Sequence, residues 1–119
     1  MTAAPSGAAG AQAEALAAAH LAAAGLAIVE RNWRRRVGEI DLVARDGDVL
    51  VFVEVRLRRR SDYGGAGASI TAAKRARMVA AANAYLARLS PTPECRFDAV
   101  LMDSLDPGRI EWLQNVLEA

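Results

Sequence analysis

The sequence predicts a mixed α/β fold, with helices packed on a mixed β-sheet in the order α-β-β-β-α-β-β. Three observations predict it. Alanine-rich stretches fill residues 11–24 and 72–87, and alanine is the best helix former. Between them, "GEIDLVAR" and "DVLVFVEVRL" flank an Asp-Gly pair, which is a strong short-range hairpin signal. Strand-like segments then follow the second helical stretch, which an α/β arrangement of helices on a sheet accommodates. With 119 residues, the chain has the length of one domain with one core. Residues 1–9, rich in Ala, Gly, Pro and Ser, read as a disordered leader to a single domain over residues 10–119.

The first helix is expected from about Ala11 to Ala24, stopped by Gly25. Its packing face is shallow, because alanines fill the positions around Leu16 and Leu21, and Glu14 is its one acid. "LAIVERNWR" (26–34) reads as a strand, followed by the hairpin strands 38–45 and 48–57. "SDYGGAGAS" (61–69) reads as a flexible glycine-rich loop. The second helix is expected from Thr71 to Leu89, ended by "SPTP", with Met78, Tyr85 and Leu86 facing the core. "ECRFDAVLM" (94–102) and "RIEWLQNVL" (109–117) complete the strands. Trp33 and Trp112 read more readily as core residues than as site residues, and Asp98 as a structural partner of Arg96 or a neighbouring base.

Composition excludes several functions. Cys95 and His20 each stand alone, so neither a disulfide framework nor a closed zinc site is expected. "GGAGAS" lacks the Lys of a phosphate-binding P-loop. The N-terminal stretch has no basic n-region and is interrupted by Glu14 and His20, so neither a signal peptide nor a membrane span is expected, and the location expected is cytoplasmic. Net charge is +1, but it is unevenly spread. Residues 31–77 hold 12 bases and six acids, while the remainder holds three bases and eight acids. That asymmetry points to an anionic partner for the middle of the chain, against the blander reading of a solvated basic face.

The acids of the hairpin are the candidate site. If Asp46-Gly47 form the centre of a type I′ turn, Arg45 faces Asp48, Glu39 faces Glu54 and Asp41 faces Phe52. Glu39, Asp41, Phe52, Glu54 and Arg56 then share one face, and Ile40, Leu42, Val51, Val53 and Val55 the other. Asp41 and Glu54 become diagonal neighbours, able to grip one cation. Like charges on adjacent strands repel, so something must offset them. A divalent ion with all-oxygen ligands, Mg²⁺ or Mn²⁺, is one answer. A salt-bridge network through Arg56 and nearby arginines is the other, and pattern alone leaves both open.

"GEIDLVARDG" (38–47), "VFVEVRLRR" (51–59), the glycine-rich loop, "SITAAKRARM" (69–78) and "CRFDAVLM" (95–102) together resemble the bacterial YraN family over residues 11 to 115. That family is similar to the restriction-endonuclease-like superfamily with its PD-(D/E)XK motif, and especially to the archaeal Holliday junction resolvases. The resemblance implies a restriction-endonuclease-like fold and a metal-dependent nuclease hydrolysing phosphodiester bonds of DNA, branched DNA included. It makes Asp41 and Glu54 the metal-binding motif acids, Glu14 the helix acid that completes the metal site, and Arg56 the basic catalytic position. Ile40 stands where the motif has Pro, and Arg56 where active nucleases usually have Lys. A protonated Arg is no base, although it can hold a phosphate, and Lys74 is an alternative source of an amine. The resolvases act as dimers, so the resemblance admits a homodimer that no residue pattern here fixes.

The expected partner is nucleic acid, DNA before RNA. Arg34, Arg35 and Arg36 in "RNWRRR", Arg58 and Arg59 in "RLRRR", and Lys74 and Arg75 at the start of the second helix are the expected contacts. Two alternatives stand beside the nuclease. One is a non-catalytic nucleic-acid-binding module of the same fold. The other is an interaction protein of a DNA-processing complex, with the acids as a docking face.

Overall fold

The computed structural model describes residues 7–57 and 71–117. The alanine-rich start folds as α1 (Gly7–Ala23), four residues earlier than the composition suggested. Gly25, at φ 103°, then turns the chain into β1 (Ala27–Arg35). β2 (Gly38–Asp46) and β3 (Val49–Leu57) follow as a hairpin. α2 (Ala72–Leu86) leads to β4 (Cys95–Met102), a single 3-10 turn (Pro107–Arg109) and β5 (Ile110–Leu113). The five strands form one mixed sheet in the order β1-β2-β3-β4-β5. Every neighbouring pair is antiparallel except β3 and β4, which are parallel and are connected across α2.

The helices lie on opposite faces, as the alternation along β3 requires. Val51 and Val53 pack with Leu42, Ala44, Val100 and Met102 against Ala13, Ala17, Ala18 and Leu21 of α1. Phe52 points the other way, into a cluster with Trp33, Ile40, Val43, Ala81, Ala82 and Tyr85 of α2. Small alanines on both helices let them approach the sheet closely, while the large side chains come from the strands. Each fully buried Val, Leu or Phe contributes about 1.5–3 kcal/mol. Among the described residues, no helix is long and apolar enough to cross a membrane.

Four details differ from expectation. The hairpin turn is centred on Gly47 and Asp48, because Asp46 pairs with Val49. Only Gly47 has positive φ, 62°, whereas type I′ needs it at both central positions. The register therefore slides, pairing Val43 with Phe52 and Arg45 with Leu50 in place of the Asp41–Phe52 and Arg45–Asp48 pairs. Ile40 also leaves the face assigned to it and joins Phe52 and Val43. The break in alternation falls at Asp41, opposite which Asn32 of β1 adopts left-handed backbone, φ 53°. The last strand stops at Leu113, where expectation carried it to 117, and Asn115 at φ 61° turns the chain away. α2 likewise ends at Leu86 rather than Leu89. Arg88 N–H then donates to Tyr85 O and Leu89 N–H to Leu86 O in a tightened exit. The expected loop at 61–69, Arg58 and Arg59, and the first six residues of the expected leader lie outside the described residues.

Candidate active site

The β2–β3 ladder closes at Leu42 and Val53, and the two strands part beyond it. Asp41 is the next residue on β2 and Glu54 the next on β3, so the slid register carries the two acids across from one another rather than diagonally. In place of a backbone partner, the Val55 N–H donates to Asp41 Oδ2 at 2.8 Å. That bond holds one carboxylate oxygen of a residue that lines the gap. Glu54 is only 4% exposed.

Both helices reach this gap. From α2, Lys74 Nζ lies 2.6 Å from Glu54 Oε2. Its backbone is fixed by the helix cap: the Lys74 N–H donates to Thr71 Oγ1 at 3.1 Å. From α1, Glu14 accepts a hydrogen bond from Asn32 Nδ2 at 2.8 Å. The left-handed backbone at Asn32 thus accompanies a side chain that holds Glu14. Glu14, Glu39, Asp41, Glu54 and Lys74 together line a cavity of about 120 Å³, with Gly10, Ala13, Val55 and Leu57 completing its wall.

The electrostatics follow from crowding. Burial, and next the charge of Glu54, push the Asp41 carboxyl up to about 8, against the stabilising Val55 bond and the more distant Lys74. Glu14 is also raised, chiefly by burial, with its Asn32 bond and Arg34 opposing. A dication would relieve this repulsion. Among the described residues no three His, Cys, Asp or Glu side chains are gathered as a ready ligand shell. Two neighbouring carboxylates nevertheless suit Mg²⁺ or Mn²⁺, since Mg²⁺ is usually held by one or two carboxylates with water and substrate phosphate in the remaining positions. The donor set fits such an ion at Asp41 and Glu54, with Glu14 across the cavity.

The remaining expected residues are placed unevenly. Arg56 is half-buried on β3 opposite Leu101 and is not among the residues that line the cavity, and its Nε is buried without a hydrogen-bond partner among the described residues. Among the described residues, the cationic group that lines the cavity is Lys74. Arg34 pairs with Glu39 at 3.6 Å, Arg35 lies over the Trp33 ring at 4.2 Å, and Arg36 and Arg75 are exposed. Trp33 is a core residue, as expected. Asp98 is structural: fully buried, it accepts from Arg96 Nε, Trp112 Nε1 and the Asn115 N–H. Thr71, Asn32 and the Val55 N–H were not singled out from the sequence. Only Thr71, a capping residue ahead of a helical run, carried a local signal for its role.

A family profile described as "Uncharacterised protein family UPF0102" matches residues 13–102, which span Glu14, Asp41, Glu54, Arg56 and Lys74. A UPF0102 protein of Dechloromonas aromatica (strain RCB) is 56% identical over 110 residues, covering 92% of this chain and 88% of that one. One from Nitrosospira multiformis is 50% identical over 109 residues, covering 92% of each chain. A third, from Pseudomonas aeruginosa (strain LESB58), is 50% identical over 116 residues with the same 92% coverage of both.

Proposed function

The chain belongs to the UPF0102 (YraN) family, and from the geometry of its cavity we propose that it is a Mg²⁺- or Mn²⁺-dependent nuclease that hydrolyses phosphodiester bonds of DNA. The observation that carries this reading is the meeting of Asp41 and Glu54 with Lys74 in one cavity. The mixed sheet with a helix on each face is compatible with the restriction-endonuclease-like fold that the motif resemblance implies. That same resemblance is the support for branched DNA as substrate and for a dimer.

Asp41 and Glu54 would hold the ion, which when bound polarises the phosphate and supplies a water of lowered pKa. Lys74 would fill the role that Arg56 cannot reach from outside the cavity. Its ammonium, seated against Glu54, would meet the negative charge that grows on the phosphate oxygens, and such preorganised cations favour the transition state. Glu14 would orient water from the opposite wall, steadied by Asn32. A second reading, a non-catalytic nucleic-acid-binding module, is favoured by the ion pair itself, since Lys74 already offsets one carboxylate without metal.

Cleavage of labelled linear, flapped and four-way DNA in Mn²⁺, Mg²⁺ or EDTA separates the two. The nuclease predicts cutting that EDTA abolishes. It predicts near-complete loss of cutting in Asp41→Asn and Glu54→Gln, and a fall of about 100-fold or more in Lys74→Met. DNA retained in a gel shift without metal-dependent cutting, or cutting indifferent to Glu54→Gln, would leave the binding module.

A further inference from the structure

A second recess opens beside the carboxylate cavity, lined by Glu39, Lys74, Arg77 and Met78. It shares Glu39 and Lys74 with the first, so Arg77 stands at the lip of the candidate site. At 3.6 residues per turn, Lys74, Arg77, Ala84 and Arg88 lie along one flank of α2 and its exit. That flank faces β1 and the β1–β2 turn. The Arg77 carbonyl lies so close to Gly38 that a Cβ there would come within 2.4 Å of it. At the far end, the Arg88 guanidinium lies 4.9 Å from the Tyr85 ring and 5.9 Å from the Trp33 ring. Arg35 of β1 covers the same indole at 4.2 Å.

The charges along this flank are not mutually cancelled. Arg34 is paired with Glu39 and Lys74 with Glu54, and Glu30 lies near enough to raise the Tyr85 hydroxyl. Arg35, Arg77 and Arg88 have no carboxylate at ion-pair distance among the described residues. Two of the three are laid over aromatic rings. Their side chains are therefore partly ordered before any ligand arrives, Arg35 also by donating from Nη1 to the Arg34 carbonyl at 2.6 Å.

We propose that the flank of α2 facing β1 is a phosphate track for a single nucleic-acid strand, with Arg77 at the mouth of the cavity and Arg35 and Arg88 at its distal end. It rests on the nucleic-acid part of the reading above and deepens it, because it gives the strand a path and a length. From Lys74 to Arg88 the backbone advances about 21 Å at 1.5 Å per residue. At about 3.4 Å per nucleotide of one stacked strand, that is roughly six nucleotides. The stacked guanidiniums contact phosphate without reading base edges, so binding along the track is indifferent to sequence.

Fluorescence anisotropy tests this with labelled oligothymidylates of about three, six and twelve nucleotides, in EDTA so that cleavage plays no part. Affinity is expected to rise steeply from about three to about six nucleotides and little beyond. The slope of log affinity against log salt is expected to fall by about 0.7 for each of Arg77→Ala and Arg88→Ala, and by about twice that in the double variant. Arg109→Ala, on the exposed 3-10 turn beside β5, is expected to keep the wild-type slope. If Arg88→Ala loses its fold by far-UV circular dichroism, Arg77→Glu and Arg88→Lys take its place. The first is expected to weaken binding more than Arg77→Ala does, and the second to keep the slope. Wild-type slopes in folded Arg77 and Arg88 variants, or an equal loss in Arg109→Ala, overturn the track, as does a wild type that binds no single strand. Reduced slopes without any metal-dependent cutting keep the track and overturn the nuclease. Cutting with unchanged slopes does the reverse.

Discussion

Two carboxylates share one cavity wall, and the consequence falls on Asp41. Its folded pKa of about 8 lies far above the ordinary 3.8. Between those values the folded chain binds more proton than the unfolded chain. Stability therefore falls as pH rises from about 4 through about 8, and the effect is complete above that window. Glu14 is shifted the same way by burial and adds to the trend. Asp41→Asn keeps an oxygen for the Val55 N–H and removes the titration. Urea unfolding at about pH 5 and about pH 8.5 is expected to show a large drop in midpoint for wild type and a smaller one for Asp41→Asn. Mn²⁺ is expected to raise the wild-type midpoint at the higher pH, where the ion need not displace a proton, and much less at the lower. Equal pH dependence in the two proteins would sink the account of Asp41.

At the scale of elements, the hairpin shows what was legible and what was not. Strand periodicity and the Asp-Gly pair located β2 and β3 to within a residue or two. The pair could not say whether Gly47 takes the first or second central position, and the choice slides every cross-strand partner. Parity survived the slide, so Asp41 and Glu54 still met, but Ile40 changed face where β2 runs beside the left-handed Asn32, whose backbone no local pattern announced. Lys74 was legible as a base at the start of a helix. Its meeting with Glu54 depends on how α2 docks, which is a tertiary fact. That docking is tight where α2 crosses the first residue of β2. A Cβ at Gly38 would lie 2.4 Å from the Arg77 oxygen and 3.1 Å from its carbonyl carbon, both backbone atoms that no rotamer can move. Gly38→Ala is expected to lower stability by about 1–3 kcal/mol, read as a reduced urea midpoint with unchanged slope. Because α2 also bears Lys74, the same variant is expected to cut DNA more slowly under conditions in which it remains folded. A variant as stable as wild type would show that α2 yields there without loss.

Across the whole molecule, the middle of the sheet ties its two edges together. Val51, Phe52 and Val53 of β3 are each fully buried and feed both helix-facing clusters in turn. Trp33 reports on the β1 edge and the α2-side cluster. Trp112 reports on the β5 edge, where it packs against the α1-side cluster and donates from Nε1 to Asp98 at 2.9 Å. Asp98 also binds Arg96, whose guanidinium reaches on to Asp46 at the hairpin turn, 3.0 Å away. This chain of contacts crosses from β5 to β2 through a carboxylate with no exposure at all. Removing its charge leaves Arg96, largely buried, with the half-exposed Asp46 as its one counterion among the described residues, at a cost of about 3 kcal/mol. In single-tryptophan proteins made by Trp33→Phe or Trp112→Phe, the fluorescence transition in urea is expected to coincide with the far-UV circular dichroism transition of the same protein. Asp98→Asn is expected to lower the midpoint seen by either tryptophan by a similar amount, although Trp33 lies at the opposite edge of the sheet. A loss confined to the Trp112 probe would mean that β5 detaches on its own, and the edges would then be separate units joined only through the chain.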